Sequence, residues 1–253
     1  MRGDLALLDA LEARSGLVCL VGAGGKKTAL YRLANAHPGR VGITATVHIP
    51  FFPRTLSARQ VIASHGELRP AVLAALTEAP KVAFACPSGK HGRFAGLAPS
   101  SIAQIHAEAA FDVTLIKADG ARSRWVKAPG EAEPRIPDAT DVVIPVVSAL
   151  AIGERLSERI AHRVECIEAV CGVRSGEVLT PLHVARLLAD EEGGRRACGS
   201  SRVIPLINMV DDEGREALAR EAATYALDLC DRFDRVVLTS LRRDVPLVDV
   251  IWR

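Results

Sequence analysis

Short runs of consecutive apolar residues alternate along the chain with longer stretches in which apolar residues recur at helical spacing. Runs of the first kind, bounded by turn residues, predict buried strands at 17–21, 40–46, 59–64, 81–86, 112–118, 141–147, 200–208 and 234–240. Stretches of the second kind predict helices at 4–14, 26–36, 66–79, 99–110, 163–171, 181–191 and 212–232. The alternation predicts βαβ units, and therefore an α/β fold with a mostly parallel sheet flanked by helices.

Three local signals refine this pattern. The segment 119–138 is rich in Pro, Gly and charge and predicts an ordered loop, and 190–201 predicts a flexible one. Pro145 lies inside a predicted strand, and because proline lacks the N–H that a ladder needs, it predicts an edge strand or a strand end. No repeat or domain boundary is evident, so residues 1–253 are expected to form a single domain.

The composition narrows the classes of function. Hydrophobic residues make up 49% and aromatic residues 4%, which suits a buried parallel sheet of Ala, Val, Leu and Ile. The formal net charge of +2 argues against a general nucleic-acid binder. The start of the chain does not resemble a signal peptide, and no apolar run approaches the roughly 20 residues that span a bilayer, so a cytoplasmic protein without a membrane partner is expected.

The cysteines are scattered and form no C-x-x-C pair. Single cysteines of this kind are most simply reduced, buried side chains. That structural role is expected for Cys19, Cys86, Cys166, Cys171, Cys198 and Cys230.

The segment VCLVGAGGKKT places a glycine-rich turn between a predicted strand and a predicted helix. Glycines let backbone N–H groups approach phosphate oxygens, and the helix N-terminus and a lysine add positive charge. The full-length phosphate loop G-x-x-x-x-G-K-[ST] does not match, but a shortened G-x-x-G-K-x-T does. The alternative is a purely structural glycine turn that packs the helix against the strand. The predicted phosphate-binding residues are Gly22, Ala23, Gly24, Gly25, Lys26, Lys27 and Thr28.

The register of this loop has two interpretations. If Lys26 is the phosphate lysine, as its position after Gly25 favours, then Lys27 occupies the place of the hydroxyl that ligates magnesium. If Lys27 is the phosphate lysine, Thr28 takes that place, but the turn is spaced differently.

Polar residues at later strand ends complete the candidate site. Asp119-Gly120 ends a buried strand, where an acidic residue commonly reaches magnesium, although Asp-Gly is also a common turn. Asn208 and Asp211 follow another strand, and such a pair suits guanine recognition or an ordinary turn.

Two further groups lie after strands, where open α/β sheets bind ligands. Thr44 and Thr46 share one side of their strand, and His48 follows them. A charged loop after Asp119 carries Arg122, Arg124, Lys127, Glu131 and Glu133. Such a histidine is more often structural, and such a loop is more often only solvated.

Four stretches resemble the YqeC-type family, which is associated with selenium-dependent hydroxylase accessory proteins: LVGAGGKKT, ITATVHI, ADGARSRWVKAPGEAEPRIP and LINMVD. They occur in order between residues 17 and 211, and the third is the most specific. The resemblance implies a P-loop NTPase-like three-layer protein that binds ATP or GTP. It also implies a role in maturing a molybdenum hydroxylase client or its molybdopterin cofactor.

The resemblance carries over residue by residue, with departures. Family-like positions are Gly22, Gly24, Gly25, Lys26, Thr28, Thr44, Thr46, His48, Asp119, Gly120, Lys127, Glu133, Asn208 and Asp211. Lys27 stands where the family has Ser or Thr, Ala45 where it has Thr, Lys117 where it has Glu and Met209 where it has Lys. A lysine cannot ligate a cation, so nucleotide binding is a firmer expectation than magnesium-assisted hydrolysis.

The working hypothesis assigns a role to each group. Lys26 and Asp119 are the candidate catalytic residues, and Thr28 and Asp119 the candidate Mg²⁺ ligands. Asp211 reads the base, whereas Lys127 and Glu133 face a second substrate or the client. Two alternatives stay open: an ATP-dependent ligase or kinase with a loop similar to that of the Mur-type ligases, and a nucleotide-binding module without turnover.

Overall fold

The computed structural model describes residues 2–253. Its strands are β1 (Gly16–Gly22), β2 (Val41–Ala45), β3 (Ile49–Pro50), β4 (Arg59–Ile62), β5 (Lys81–Ala85), β6 (Arg93–Phe94), β7 (Val113–Lys117), β8 (Val126–Lys127), β9 (Val142–Ser148), β10 (Ala161–His162), β11 (Arg202–Val203), β12 (Leu206–Asn208), β13 (Arg235–Thr239) and β14 (Leu247–Trp252). Its α-helices are α1 (Arg2–Ala10), α2 (Lys26–Ala36), α3 (His65–Ala75), α4 (Pro99–Glu108), α5 (Val164–Cys171), α6 (Pro181–Ala189) and α7 (Glu213–Leu229).

One large sheet organises the fold, in the order β14-β13-β12-β9-β1-β7-β2-β5-β4, with β11 also paired to β9. All of its pairings are parallel except that of β13 with β14. The predicted α/β fold, with a mostly parallel sheet flanked by helices, is confirmed. β1 lies near the middle of the sheet, between β7 and β9, so the glycine-rich loop that follows it is surrounded by other strand ends.

The side chains of the sheet alternate between two apolar layers. In β1, Val18 and Leu20 join the cluster that includes α1 and α2, whereas Cys19 and Val21 join the cluster that includes α3 to α7. This is the period of two expected for a strand buried on both faces. The alternation holds β1 in one register, which fixes where its carboxyl end and the following loop stand.

The prediction that Pro145 marks an edge or a strand end is wrong. β9 is a central strand, and Pro145 lies in its middle, opposite Val21 of β1. The proline is tolerated because its missing N–H would point away from β1, toward the gap between β11 and β12. Ile204 still donates to the Val143 oxygen, and pairing then resumes between Leu206 and Val146. The predicted strand 200–208 is accordingly two short strands, β11 and β12.

Several short elements carry no clear pattern in the sequence. The antiparallel pair β3 and β6 and the parallel pair β8 and β10 are each two residues long. The edge strand β14 was also not predicted, although it is six residues long. Pairing of β8 with β10 places Lys127 beside His162, and it brings the charged loop back over the end of β7.

Two global features complete the fold. All six cysteines are free, and all but the partly exposed Cys166 are buried. None of the helices within residues 2–253 combines the length and apolar character needed to cross a bilayer.

Candidate functional site

The candidate residues gather at one edge of the sheet because β1, β2, β7, β9 and β12 run parallel. The glycine-rich loop follows β1, Asp119 follows β7, and Ser148 ends β9 on the other side. Open parallel sheets bind their ligands at this edge. The topology therefore brings together residues that lie far apart in the chain.

Neighbouring strands pack so closely on the glycine-rich loop that Gly24 and Gly25 have no room for a side chain. Gly24 has φ 88° and Gly25 has φ 131°, both in the region that favours glycine. A Cβ at Gly24 would lie 2.4 Å from the Ser148 nitrogen, and one at Gly25 would lie 2.3 Å from Asn208 Nδ2. Both glycines are therefore required by close approach of β9 and β12.

The first three N–H groups of the loop are already used by the protein. Gly22 donates to Asp119 Oδ2 at 2.9 Å, Ala23 to the Val146 oxygen at 2.8 Å, and Gly24 to the Arg124 oxygen at 3.0 Å. The donors that remain for an anion belong to the first turn of α2, since those N–H groups have no partner within the helix. The centre of positive potential is therefore the start of α2.

Lys26 is the first residue of α2 and is only 5% exposed. Its Nζ lies 2.9 Å from Asp119 Oδ1 and also donates to the Gly22 oxygen. Burial lowers the pKa of Lys26, and the Asp119 carboxylate opposes that shift. The lysine thus lies folded back on the loop, with its charge held against Asp119.

Asp119 joins two lysines. It is 2% exposed, and its Oδ2 accepts from Lys127 Nζ at 2.7 Å as well as from the Gly22 N–H. Its Oδ1 lies 2.9 Å from the ammonium group of Lys26. A buried carboxylate with two ammonium groups is a strongly coupled unit.

Glu133 extends this network. It accepts from Lys127 Nζ at 2.6 Å and from Arg163 Nη1 at 2.5 Å on the same oxygen, and Gly120 N–H lies 3.3 Å from the other. Burial alone would raise the pKa of Glu133, but the hydrogen bonds from Lys127 and Arg163 lower it to about 2. Glu133 is therefore ionised throughout the neutral range.

A second group lies on the β2 side of the loop. Lys117 ends β7, is 7% exposed, and donates to the His48 backbone oxygen at 3.1 Å. Burial lowers its pKa to about 7. Thr46 is 1% exposed, and its hydroxyl has no hydrogen-bond partner among residues 2–253. The imidazole of His48 is partly exposed, and burial together with nearby Lys90, Arg93 and Lys117 lowers its pKa.

Asn208 and Asp211 occupy different environments. Asn208 is buried, donates to the Gly24 oxygen at 2.8 Å, and accepts from Thr239 Oγ1 and the Leu241 N–H. It therefore braces the loop. Asp211 is exposed and accepts from Ser240 Oγ at 2.5 Å. Between them, Met209 has φ 64° and its sulfur accepts from Ser148 Oγ at 3.0 Å.

Lys27 and Thr28 point away from the network. Both are exposed and line a cavity of about 1040 Å³ along the outer face of α2. Successive helical residues are rotated by about 100°, so Thr28 lies about 200° from Lys26 around the helix. Thr28 and Asp119 are therefore not brought together.

The donor set does not fit a magnesium ion. Magnesium needs oxygen ligands, but Asp119 is occupied by two ammonium groups, and Lys27 offers no acceptor. Within residues 2–253, no three His, Cys, Asp or Glu side chains come close enough to hold a metal. The site is suited to an anion rather than to a cation.

Sequence reasoning missed the contributions of Arg163 and of Lys117. Arg163 reaches Glu133 from 30 positions away, and only the pairing of β8 with β10 brings it there. Lys117 was noted as a departure from the family pattern, without a role. Its signal is a charged residue at the end of the strand VTLIK, which is buried at every position.

Comparison with known proteins identifies the family to which the chain belongs. The family described as YqeC protein matches residues 18–165, more than half of the chain. A curated protein of Escherichia coli (strain K12), described as "Uncharacterized protein YqeC", is 32% identical over 187 residues, which cover 72% of this chain and 71% of the relative. The chain therefore belongs to the YqeC family.

Proposed function

We propose that the protein binds the phosphates of a nucleoside triphosphate, ATP or GTP, at the start of α2 through Lys26. The observation that carries this proposal is the placement of Lys26: a buried lysine at a helix N-terminus, behind a glycine-rich loop at the carboxyl end of a central strand. The helix N-terminus and the lysine attract the same anion. The closely packed loop holds both in place.

Binding exchanges the partners of Lys26. Before binding, its ammonium group lies against Asp119 and the Gly22 oxygen. A phosphate oxygen replaces them, and Asp119 keeps Lys127 as its counter-ion. The Lys127 contact means that Asp119 is not left as an unpaired buried charge, which would be costly.

The charges of the site favour binding over metal-assisted hydrolysis. Because Lys127 stays paired with Asp119, the phosphate charge is met by Lys26 and the helix N–H groups, and Asp119 is not left as a free metal ligand. This supports the nucleotide-binding module without turnover as the second candidate function. A ligase or kinase remains a third interpretation, and its product, a ligated or phosphorylated small molecule, distinguishes it.

The biological role that we propose is accessory maturation of a molybdenum hydroxylase, selenium-dependent in some members, or of its molybdopterin cofactor. The chain belongs to the YqeC family, and the association of that family with hydroxylase accessory proteins is what supports this role. Exposed Asp211 is the proposed reader of the base, next to the Asn208 that braces the loop.

A nucleotide panel measured by calorimetry, with and without magnesium, tests this function. We expect binding of at least one nucleoside triphosphate, with an affinity that changes little when magnesium is removed. Absence of binding by every nucleotide contradicts the proposal. Equal affinities for ATP and GTP remove the base-reading role of Asp211, and a strict magnesium requirement contradicts the charge argument.

A further inference from the structure

The cavity of about 1040 Å³ along the outer face of α2 is not used by the proposed phosphate site. Its volume is at the upper end of the range of about 300–1,000 Å³ that small-molecule sites occupy. Apolar and aromatic side chains form much of its wall: Leu5, Tyr31, Pro38, Pro53 and Leu241. Such a wall suits the body of an organic molecule, and the few polar groups then decide which kind of molecule is bound.

Two of the cations in this wall are already held by the protein. Arg32 Nε lies 2.6 Å from Asp4 Oδ1, and the same guanidinium group donates to three backbone oxygens in the segment after β13. Lys81 donates to the Ala34 and Asn35 oxygens, at 2.8 Å each. These contacts hold the wall in place, and they use the charges that a ligand would otherwise meet.

Lys27 is the exception among the cations of the wall. It is exposed, and no ion pair or hydrogen bond joins its ammonium group to another of residues 2–253. Tyr31 lies one turn later on the same face of α2, since residues four apart are neighbours on a helix. The Tyr31 hydroxyl is buried without a hydrogen-bond partner in the described chain, and burial raises its pKa to about 12, so it stays a donor.

The segments that build most of this wall are also free of acidic residues. Residues 13–66 contain seven Lys or Arg and no Asp or Glu, and residues 79–107 contain three Lys or Arg and no Asp or Glu. The formal net charge of the whole chain is only +2, so positive charge is concentrated in these segments. Asp4 is the only acidic residue among the described residues that line the cavity, and it is paired with Arg32. The field in the cavity therefore favours an anion.

We propose that this cavity binds a small organic anion, whose phosphate or carboxylate group is held by Lys27 and whose apolar body lies along Tyr31. The apolar body also contacts Leu5, Pro53 and Leu241, and the Tyr31 hydroxyl is a second donor to the ligand. Lys27, which stands where the family pattern has Ser or Thr, thereby has a function other than holding magnesium. Naming this anion as the second substrate rests on the proposed nucleotide function, but the anion site itself does not.

NMR titration of ¹⁵N-labelled protein with phenyl phosphate, and separately with benzoate, tests the site. The amides of Tyr31, Asn35 and Thr55 report on the cavity, and those of Gly25 and Lys26 report on the loop. Benzyl alcohol, which has a similar ring but no charge, separates apolar binding from anion binding. We expect at least one of the two anions to shift the cavity amides in a saturable way and to bind more tightly than benzyl alcohol. The anion with the higher affinity identifies the chemistry as phosphate or carboxylate.

Variants of exposed or cavity-lining residues assign those shifts. Lys27→Met keeps the length of the side chain and removes its charge, Lys27→Arg keeps the charge, and Tyr31→Phe removes only the hydroxyl. We expect at least tenfold weaker anion binding in Lys27→Met, an affinity close to that of wild type in Lys27→Arg, and a several-fold loss in Tyr31→Phe. The matched control is Lys90→Met, since Lys90 is exposed and does not line the cavity.

The outcomes separate this proposal from the nucleotide function. Anion binding at the cavity amides that Lys27→Met weakens and Lys90→Met leaves unchanged supports the site, whether or not nucleotides bind. The site is overturned when neither anion shifts these amides, when benzyl alcohol binds as tightly as the anions, or when wild type and Lys27→Met have equal affinity. Shifts confined to Gly25 and Lys26 also overturn it and leave only the nucleotide function. That function fails separately, when no nucleotide binds although the cavity still binds the anion.

Discussion

Two clusters of buried charge lie on either side of the end of β7, and they are built differently. Around Asp119, each of the charged side chains Lys26, Lys127, Glu133 and Arg163 takes part in an ion pair. Around Lys117, the described residues supply one backbone oxygen and leave the Thr46 hydroxyl without a partner. The contrast indicates that the charges of the first cluster have charged partners within the protein before any ligand binds, whereas Lys117 and Thr46 have unused hydrogen-bond donors.

The largest expected effect on the free energy of unfolding comes from removing the charge of Asp119. In Asp119→Asn, Lys26 and Lys127 lose their shared carboxylate, and a buried ion pair that loses one partner costs about 3–5 kcal/mol. Denaturant unfolding should therefore show a loss of that order. The matched control is Asp211→Asn at an exposed carboxylate, where we expect less than about 0.5 kcal/mol. Similar losses in the two variants would contradict the described network.

The group around Lys117 predicts that the stability of the protein depends on pH. Because burial lowers the pKa of Lys117 from 10.5 to about 7 in the folded protein, the folded state releases this proton before the unfolded state does. Stability contributed by Lys117 therefore rises between pH 7 and pH 9, by up to about 2 kcal/mol. The charged neighbours that act on Lys117 are Lys26, Lys127, Asp119 and Glu133.

Lys117→Met isolates that contribution. The free energy of unfolding of the variant, measured at pH 7 and pH 9, should rise less than that of wild type. Lys81 also has a lowered pKa, and it contributes the same slope to both proteins. Lys26 and Lys117 repel each other, so loss of the Lys117 charge favours the charged form of Lys26 and makes the stability of the variant rise still less. An identical change in the two proteins would show that Lys117 titrates normally in the folded state.

The smallest expected effect compares two threonines on the same segment. Thr44 donates to the Phe84 oxygen at 2.8 Å, whereas the Thr46 hydroxyl has no partner among residues 2–253. Thr44→Val should therefore destabilise the protein by about 1 kcal/mol, and Thr46→Val should be neutral or slightly stabilising. Thermal or denaturant unfolding measures both, and a larger loss in Thr46→Val would contradict the absence of a partner.

The sequence predicted the alternation of strands and helices because hydrophobic periodicity is local. It failed at Pro145 because whether a proline is tolerated depends on the neighbouring strand, which is broken next to it. It also missed β14, which has polar and apolar positions but no buried run. These failures share one cause, since each depends on which strands become neighbours.

The sequence suggested individual residues of the candidate site, but not which of those residues form ion pairs with each other. The loop and Asp119 were predicted because glycines and a carboxylate at the ends of predicted strands can be recognised in the sequence itself. The partners of Asp119, and the role of Arg163 in holding Glu133, depend on contacts across the fold. The helix predicted at 26–36 has the same bounds as α2, so the opposite orientations of Lys26 and Thr28 already follow from that prediction.

The most direct test of the central claim is nucleotide affinity, measured by calorimetry without magnesium, in wild type, Lys26→Met and Lys27→Met. Lys26 is buried at the start of α2, whereas Lys27 is exposed on its outer face. We predict at least tenfold weaker binding in Lys26→Met and a small change in Lys27→Met, with unfolding curves confirming that both variants are folded. Equal affinity in Lys26→Met and wild type, or a larger loss in Lys27→Met, would contradict the account.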